Sequence, residues 1–392
     1  MAIYKVLFQP LSGYFFGEDG SFRSGIENAE YYISSKEFPS QTTLFGILRY
    51  LNLEHKKDWG SYNQEEIKEN EEMVGKRGFS IENAIDTTNK DQNEDFGKLK
   101  KMSSVFINED NIKEKINRIY IPIPKDSDPK EDKKYMSIMS KGYTVVKTIH
   151  GFKWIPYEYD AKKEIKKSFI SIDSGISKNK IVDGDLSIID SIFEHRIKGA
   201  IKINRDVNSD KPVSSLFKKE YVYLKQLHRE KHYSFGVYVE IDGDCEKIKT
   251  KLNTIVTMGL GATPFKVTAK IISDSKEESR IDSDLKLNVD RVFKEHAMRG
   301  NIIYCISPCF IENPKDILEK CDFSFIDVTA VRQLTSNGFN KKIKKEETLY
   351  NLLDAGSILM IEDTNKDILI DSFSFKKMQQ IGYNHYYVGG KK

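Results

Sequence analysis

Hydrophobic and polar positions alternate most strictly over HYSFGVYVEI (232–241), where Tyr233, Phe235, Val237, Val239 and Ile241 fall on one side. A period of two held over that length predicts a strand. The period lengthens over FPSQTTLFGILRYLNL (38–53), where Leu44, Ile47, Leu48 and Leu51 recur at helical spacing behind Ser40, a good N-cap. Gly46 inside that helix costs about 1 kcal/mol relative to Ala, which predicts a close neighbour against it. A second helix is expected over EKIKTKLNTIVTMG, with Ile248, Leu252, Ile255 and Val256 on one face, before the turn GLGATP and a strand FKVTAKII (265–272). Further strands are predicted at 2–8, at 116–124, over NIIYCISPCFI (301–311), and in SFIDVTAVRQL and SILMIED, with a short helix starting at Pro314.

Strand, helix, glycine loop and strand in succession is the opening of a ferredoxin-like βαββαβ unit, and the N-terminal half also opens strand, loop, helix. The expected fold is α+β, with two ferredoxin-like (RRM-like) domains and long insertions. The first spans 1–225 and the second 226–392. Two polar stretches interrupt the first: 54–115, read as a partly helical and partly mobile insertion, and PKDSDPKEDKKYM (124–136), read as a disordered loop.

Composition narrows the function classes. The 392 residues predict roughly two to three domains at about 150 residues each, and 39% hydrophobic residues are enough to fill two cores. A mean hydropathy of -0.52 comes with no apolar run long enough for a membrane helix. The opening MAIYKVLFQPLSGYFF has neither the basic start nor the long apolar stretch of a signal peptide. No membrane partner is therefore expected, and a cytoplasmic protein is. The four cysteines form no CxxC pair and predict reduced thiols rather than a disulfide framework. Net charge is only +3, yet residues 198–232 hold nine Lys or Arg against four acids, which fits either a solvated surface or a polyanion.

The catalytic motifs that a sequence can display are missing. There is no P-loop, HExxH, GxSxG or zinc-type Cys/His spacing, so neither a metal nor a cofactor is expected. His195, beside Arg196 and near Lys198, and His150 are the candidates for acid/base work in a metal-independent ribonuclease. Three stretches fit anion binding better. The helix start at Gln41, Thr42 and Thr43 offers free N–H groups, with Arg49 further along directed to RNA or to an acidic neighbour. HRIKGAIKINRDVNSDKPVSSLFKKEYVYL (195–224) alternates basic with apolar residues and carries His195, Arg196, Lys198, Lys202 and Arg205. The turn at Gly259 and Gly261 lets backbone N–H groups approach a phosphate, or simply joins helix to strand.

These stretches resemble the RAMP superfamily of CRISPR effector subunits. YFFGEDGSFRSGIENAEYYISSKEFPSQTTLFGILRYL looks like the N-terminus of the subunit that caps the guide RNA in type III-B (Cmr) complexes. IKINRDVNSDKPVSSLFKKEYVYL is similar to a central motif of that group and of its type III-A (Csm) counterpart, and LLDAGSILMIED and IGYNHYYVGG are similar to its C-terminal segments. The resemblance implies a non-catalytic subunit that grips the repeat-derived 5′ handle of the crRNA. Its partners would be the large polymerase/cyclase-like subunit and the RAMP backbone subunits, with target RNA engaged indirectly. Cations on phosphates and aromatics on splayed bases would hold the handle, with Phe15, Phe16, Phe22 and Arg23 among the candidates. A RAMP endoribonuclease that processes guide precursors, the equivalent subunit of a type III-A complex, and a scaffold that touches no RNA are the alternatives.

Overall fold

The computed structural model describes residues 1–17, 31–58, 61–111, 116–127, 142–149, 151–157, 168–172, 176–177, 180–181, 188–189, 192–204, 213–225, 231–259, 261–272, 289, 301–312, 314–335, 344–361 and 365–389. The chain opens with β1 (Ala2–Pro10), α1 (Gln41–Asn52), α2 (Gln64–Val74), β2 (Leu99–Met102), β3 (Phe106–Asn111) and β4 (Ile116–Pro122). A long hairpin, β5 (Phe193–Asn204) and β6 (Val213–Leu224), leads to β7 (Lys231–Ile241), α3 (Cys245–Leu252), β8 (Thr254–Met258) and β9 (Thr263–Ile271). The rest is built on β10 (Asn301–Cys305), α4 (Lys315–Lys320), β11 (Cys321–Phe325), β12 (Ile358–Ile361), α5 (Lys366–Phe373), α6 (Lys376–Gln380) and β13 (Tyr386–Gly389). The fold is α+β.

The main sheet runs β4-β3-β7-β1-β9-β8, with β2 also pairing β7 and two short strands, Phe169–Ser171 and then Ile188–Ile189, continuing it beyond β4; every neighbouring pair is antiparallel. Strand β1 lies between β7 (Ala2 opposite Ile241, Phe8 opposite Phe235) and β9 (Tyr4 opposite Ile271, Pro10 opposite Phe265). This sheet therefore crosses the 225/226 boundary expected from the sequence. A second antiparallel sheet runs β11-β12-β10-β13.

Period two sorts the side chains between layers. Tyr4, Val6, Phe8, Phe235, Val237, Val239, Phe265 and Val267 meet Leu44, Leu48, Ile248 and Leu252 of α1 and α3 in one core. The opposite face supplies Phe106, Ile119, Ile121 and Tyr238, which pack against Ile302, Tyr304, Ile358 and Met360 of the second sheet. Beyond it, Ile303, Leu359 and Ile361 meet Ile317, Leu369 and Phe373 from α4 and α5. The order of layers is helix, sheet, sheet, helix.

Several sequence expectations change. Ser40 caps α1, accepting from the Thr43 amide at 3.2 Å, and Leu44, Leu48 and Leu51 are buried as the stripe predicts. Gly46, however, is exposed, and a Cβ there would touch nothing within 4 Å. The second helix stops at Leu252, so Ile255 and Val256 lie on β8 and Ile255 is 62% exposed. Four β-branched residues in a row, Thr254 to Thr257, favour strand. Asn253 makes the turn, its side chain donating to Lys249 O and accepting from the Ala269 amide. The stretch read as an insertion holds α2 but also β2 and β3, so 99–111 belongs to the main sheet. Much of 124–136 lies outside the described residues, although Asp126 is buried. Cys245, Cys305, Cys309 and Cys321 are free thiols, the last three buried. Among the described residues no helix is long and apolar enough to cross a membrane.

Candidate nucleic-acid interface

The hairpin β5/β6 carries the densest set of predicted residues. Its register places Glu194 opposite Tyr223, Arg196 opposite Tyr221 and Lys198 opposite Lys219, so these six share one face. The Arg196 guanidinium lies 4.6 Å from the Tyr223 ring, and Lys198 Nζ lies 5.2 Å from Tyr221. Lys219 Nζ sits 5.0 Å from Tyr221 and 4.0 Å from Phe15. Glu194 accepts from Arg196 Nε at 2.8 Å, which holds its carboxyl below and the guanidinium above their ordinary ranges. Lys198 and Lys219 have no carboxylate partner among the described residues.

Backbone bonds hold this face on the main core. Tyr14 and Val222 exchange N–H···O contacts of 2.8 and 2.9 Å, and a Cβ at Gly13 would collide with the Tyr223 ring at 2.3 Å. The glycine turn closes beside it. Gly259 takes a φ of +76°, where a Cβ would meet Phe15 O at 2.3 Å, and the Cβ position of Gly261 lies 3.7 Å from Lys219 Nζ. Two of the three predicted stretches, the basic hairpin and the glycine turn, thus meet at Lys219.

His195 points the other way. Its Nδ1 lies 2.9 Å from Glu220 Oε1 and its Nε2 3.1 Å from Glu37 Oε1, so both ring nitrogens face carboxylates. Sequence neighbours His195 and Arg196 are on opposite faces because the strand period is two. The third stretch meets the C-terminal segment of the same chain. Gln41 is buried and its Nε2 donates to Gly382 O at 3.1 Å. The Tyr383 hydroxyl faces the Thr42 side chain and the backbone amides of Thr42 and Gln41, while Ser40 takes the Thr43 amide. The N–H groups expected to meet a phosphate thus face this chain's own Ser40 and Tyr383. Arg49 is directed neither to RNA nor to an acid: it donates to Val74 O at 3.0 and 2.8 Å and to Gly75 O at 3.3 Å, at the end of α2. Phe15 and Phe16 are both buried, with Phe16 against Phe235 and Phe265, so neither ring is free to stack on a base.

Lys202 lies on β5 opposite Ser215, with its side chain outside the described residues. Arg23, Phe22, His150 and Arg205 also lie outside them. The sequence reading missed Tyr221 and Tyr223 as partners of the cations. The signal was present in KKEYVYL, where Lys219, Tyr221 and Tyr223 recur at period two. Among the described residues, no group of three or more His, Cys, Asp or Glu could hold a metal ion.

Residues 6–152 match the family model of a CRISPR-associated protein (Cas_Cmr3). The family resemblance read from the sequence holds over this span, which runs from within β1 to beyond β4. Two solved chains are also similar, both from cryo-EM structures of the Type III-B Cmr-beta bound to cognate target RNA, one of them with AMPPnP in state 1. Each is 15% identical and covered over 97% of this chain, at TM-scores of 0.44 and 0.43, with 96% and 94% of the respective solved chain covered. No curated protein matches the chain.

Proposed function

We propose that this chain is a non-catalytic, RNA-binding subunit of a cytoplasmic type III-B CRISPR effector ribonucleoprotein. It holds the single-stranded 5′ repeat-derived handle of the crRNA and bridges the large polymerase/cyclase-like subunit to the RAMP backbone subunits. The observation that carries the RNA reading is the face of Arg196, Lys198, Lys219, Tyr221 and Tyr223, in which cations alternate with partly exposed rings. A single strand offers phosphates to such cations and bases to such rings. The family match supports the choice of complex. The ferredoxin-like reading is supported by strand order: β3-β7-β1-β9 and β11-β12-β10-β13 each run second, third, first, fourth, with a helix after the first and third strands.

The test is a titration of full-length protein with labelled handle RNA at several salt concentrations. Removing one cation from a single-strand phosphate flattens the log–log salt slope by ~0.7, so the Lys198→Ala/Lys219→Ala double variant should lower it by about 1.4. Tyr221→Ala should weaken binding by about 1–3 kcal/mol. Unchanged slope and affinity in both variants would remove the hairpin from the interface. Labelled repeat RNA should stay intact with wild type; cleavage that His195→Ala abolishes would instead establish the endoribonuclease. Recovery of the other subunits with the tagged chain tests the bridging role.

A further inference from the structure

Strand β8 ends the main sheet. It pairs with β9 on one side, and among the described residues no strand lies on the other. Two contacts fix which backbone groups face outward. Pro264 lacks an N–H, and its carbonyl accepts from Leu11 N at 3.0 Å, so residue 264 is turned toward β1. Ala269 donates at the other edge, to Asn253 Oδ1 at 3.2 Å. Odd-numbered residues of β9 therefore face β8, where Thr263, Phe265 and Val267 stand opposite Met258, Val256 and Thr254. By the alternation of an antiparallel ladder, Ile255 and Thr257 direct both N–H and C=O to the open edge.

The described residues leave the sheet face beside that edge exposed as well. Met258 and Val256 pack into the helix-side core, so Ile255 and Thr257 project from the opposite face. Ile255 is 62% and Leu11 51% exposed. Lys266 lies opposite Ile255, and Lys270 lies further along the same strand; both are exposed and have no acidic partner among the described residues. Proteins commonly guard a free edge with lysine, proline or a bulge within the strand. TIVTM, the sequence of β8, contains neither residue, and its pairing with β9 is regular.

We propose that β8 is a docking edge for an extended segment of a partner protein in which acidic residues alternate with β-branched apolar ones, joining the sheet as an added strand. The outward N–H and C=O groups of Ile255 and Thr257 need a partner with both acceptors and donors at the strand repeat, which another polypeptide backbone supplies. In RNA the phosphates offer only acceptors and the donors sit apart on the ribose 2′-hydroxyls, whereas a polypeptide backbone presents N–H and C=O together on the same residue, as the edge requires. Charge complementarity with Lys266 and Lys270 selects acidic side chains on the added strand, and Ile255 and Leu11 select its apolar ones. None of Ile255, Thr257, Lys266 and Lys270 belongs to the Arg196–Tyr223 face, and the proposal does not depend on the RNA reading.

Hydrogen exchange at the Ile255 and Thr257 amides of the full-length protein tests the proposal, with a seven-residue peptide alternating glutamate and valine as probe. The peptide should slow exchange at both amides at least tenfold, and a lysine–valine peptide of equal length should not. Thr257→Pro removes an outward N–H while leaving the β9 ladder intact, and should abolish protection with handle-RNA affinity unchanged. Lys266→Glu/Lys270→Glu, which alters no backbone group, should reverse the preference between the two peptides. Equal protection by both peptides, or protection that survives both variants, would overturn the proposal. Protection by single-stranded oligouridylate but not by peptide would assign the edge to nucleic acid instead. Protection that rises with protein concentration alone would assign it to a second copy of this chain.

Discussion

Arg49 fills a role that its sequence context does not announce. Its guanidinium closes the last carbonyls of α2 and lies 5.8 and 5.9 Å from the Phe45 and Phe96 rings. Burial pushes it down to about 10, far enough above neutrality to stay charged. Arg49→Met keeps the aliphatic stem and removes the donors, leaving buried carbonyls unpaired. The expected loss is about 1–3 kcal/mol, read as a lower urea midpoint at constant m, with handle-RNA affinity unchanged. Glu54 makes a different prediction. Hydrogen bonds from Lys251 and then Lys247, each charge-assisted, hold its carboxyl down to about 2 from an ordinary 4.5, tying the end of α1 to α3. A carboxyl lowered in the folded state stabilises it fully above the unfolded value and loses that contribution as pH falls. Glu54→Gln should therefore cost at most ~1 kcal/mol near pH 7, because the three groups lie at the solvent boundary and are screened. The difference should shrink between pH 4.5 and 2, and also at high salt. A difference that stays constant across that range would mean that the charge of Glu54 contributes nothing.

At the scale of elements, α1 shows how a correct local reading can still misplace a surface. Its cap and apolar stripe follow from spacing alone, since Ser40, Leu44, Leu48 and Leu51 need only their own helix to be placed. What meets its first turn comes from residue 383, more than 300 positions away, and no local pattern carries that information. Tyr383→Phe should lower stability by about 1 kcal/mol, as the first turn of α1 loses the hydroxyl that faces it, while handle-RNA affinity stays within twofold. A large loss of RNA affinity would return this helix start to the interface. The hairpin was legible in a different way. Alternation in 195–224 showed a two-faced strand pair, yet only the register reveals that Arg196, Lys198 and Lys219 share the face of Tyr221 and Tyr223 while His195 turns to Glu37 and Glu220. The boundary of α3 was misread because Ile255 and Val256 fit both a helical stripe and a β-branched strand. The open hydrogen-bonding edge of β9 decides between them in the fold.

For the molecule as a whole, the sheet order makes a claim about folding that a linear division of the chain does not. β1 separates β7 from β9, so the main sheet needs residues 2–10 and residues 231–271 together. The second sheet then packs against the far face of the first, with Phe106, Ile119 and Tyr238 against Tyr304, Ile358 and Met360. Side-chain bonds join the halves further: Tyr304 donates to Pro122 O at 2.6 Å, and Gln380 donates to Glu94 O and Lys100 O at 2.9 and 2.8 Å. A fragment of 226–392 would carry β7 and β9 with an unfilled place between them and an apolar sheet face open to water. It should give a shallow urea transition and little protection of the Val237 and Val239 amides. Co-expression with 1–225 should restore both, because β1 supplies backbone partners to two strands at once. The intact chain should show one urea transition by far-UV circular dichroism and by tyrosine fluorescence, with coincident midpoints. A 226–392 fragment that unfolds cooperatively on its own, at a midpoint close to that of the intact chain, would show that the β1 pairing adds little. The two halves would then be independent units.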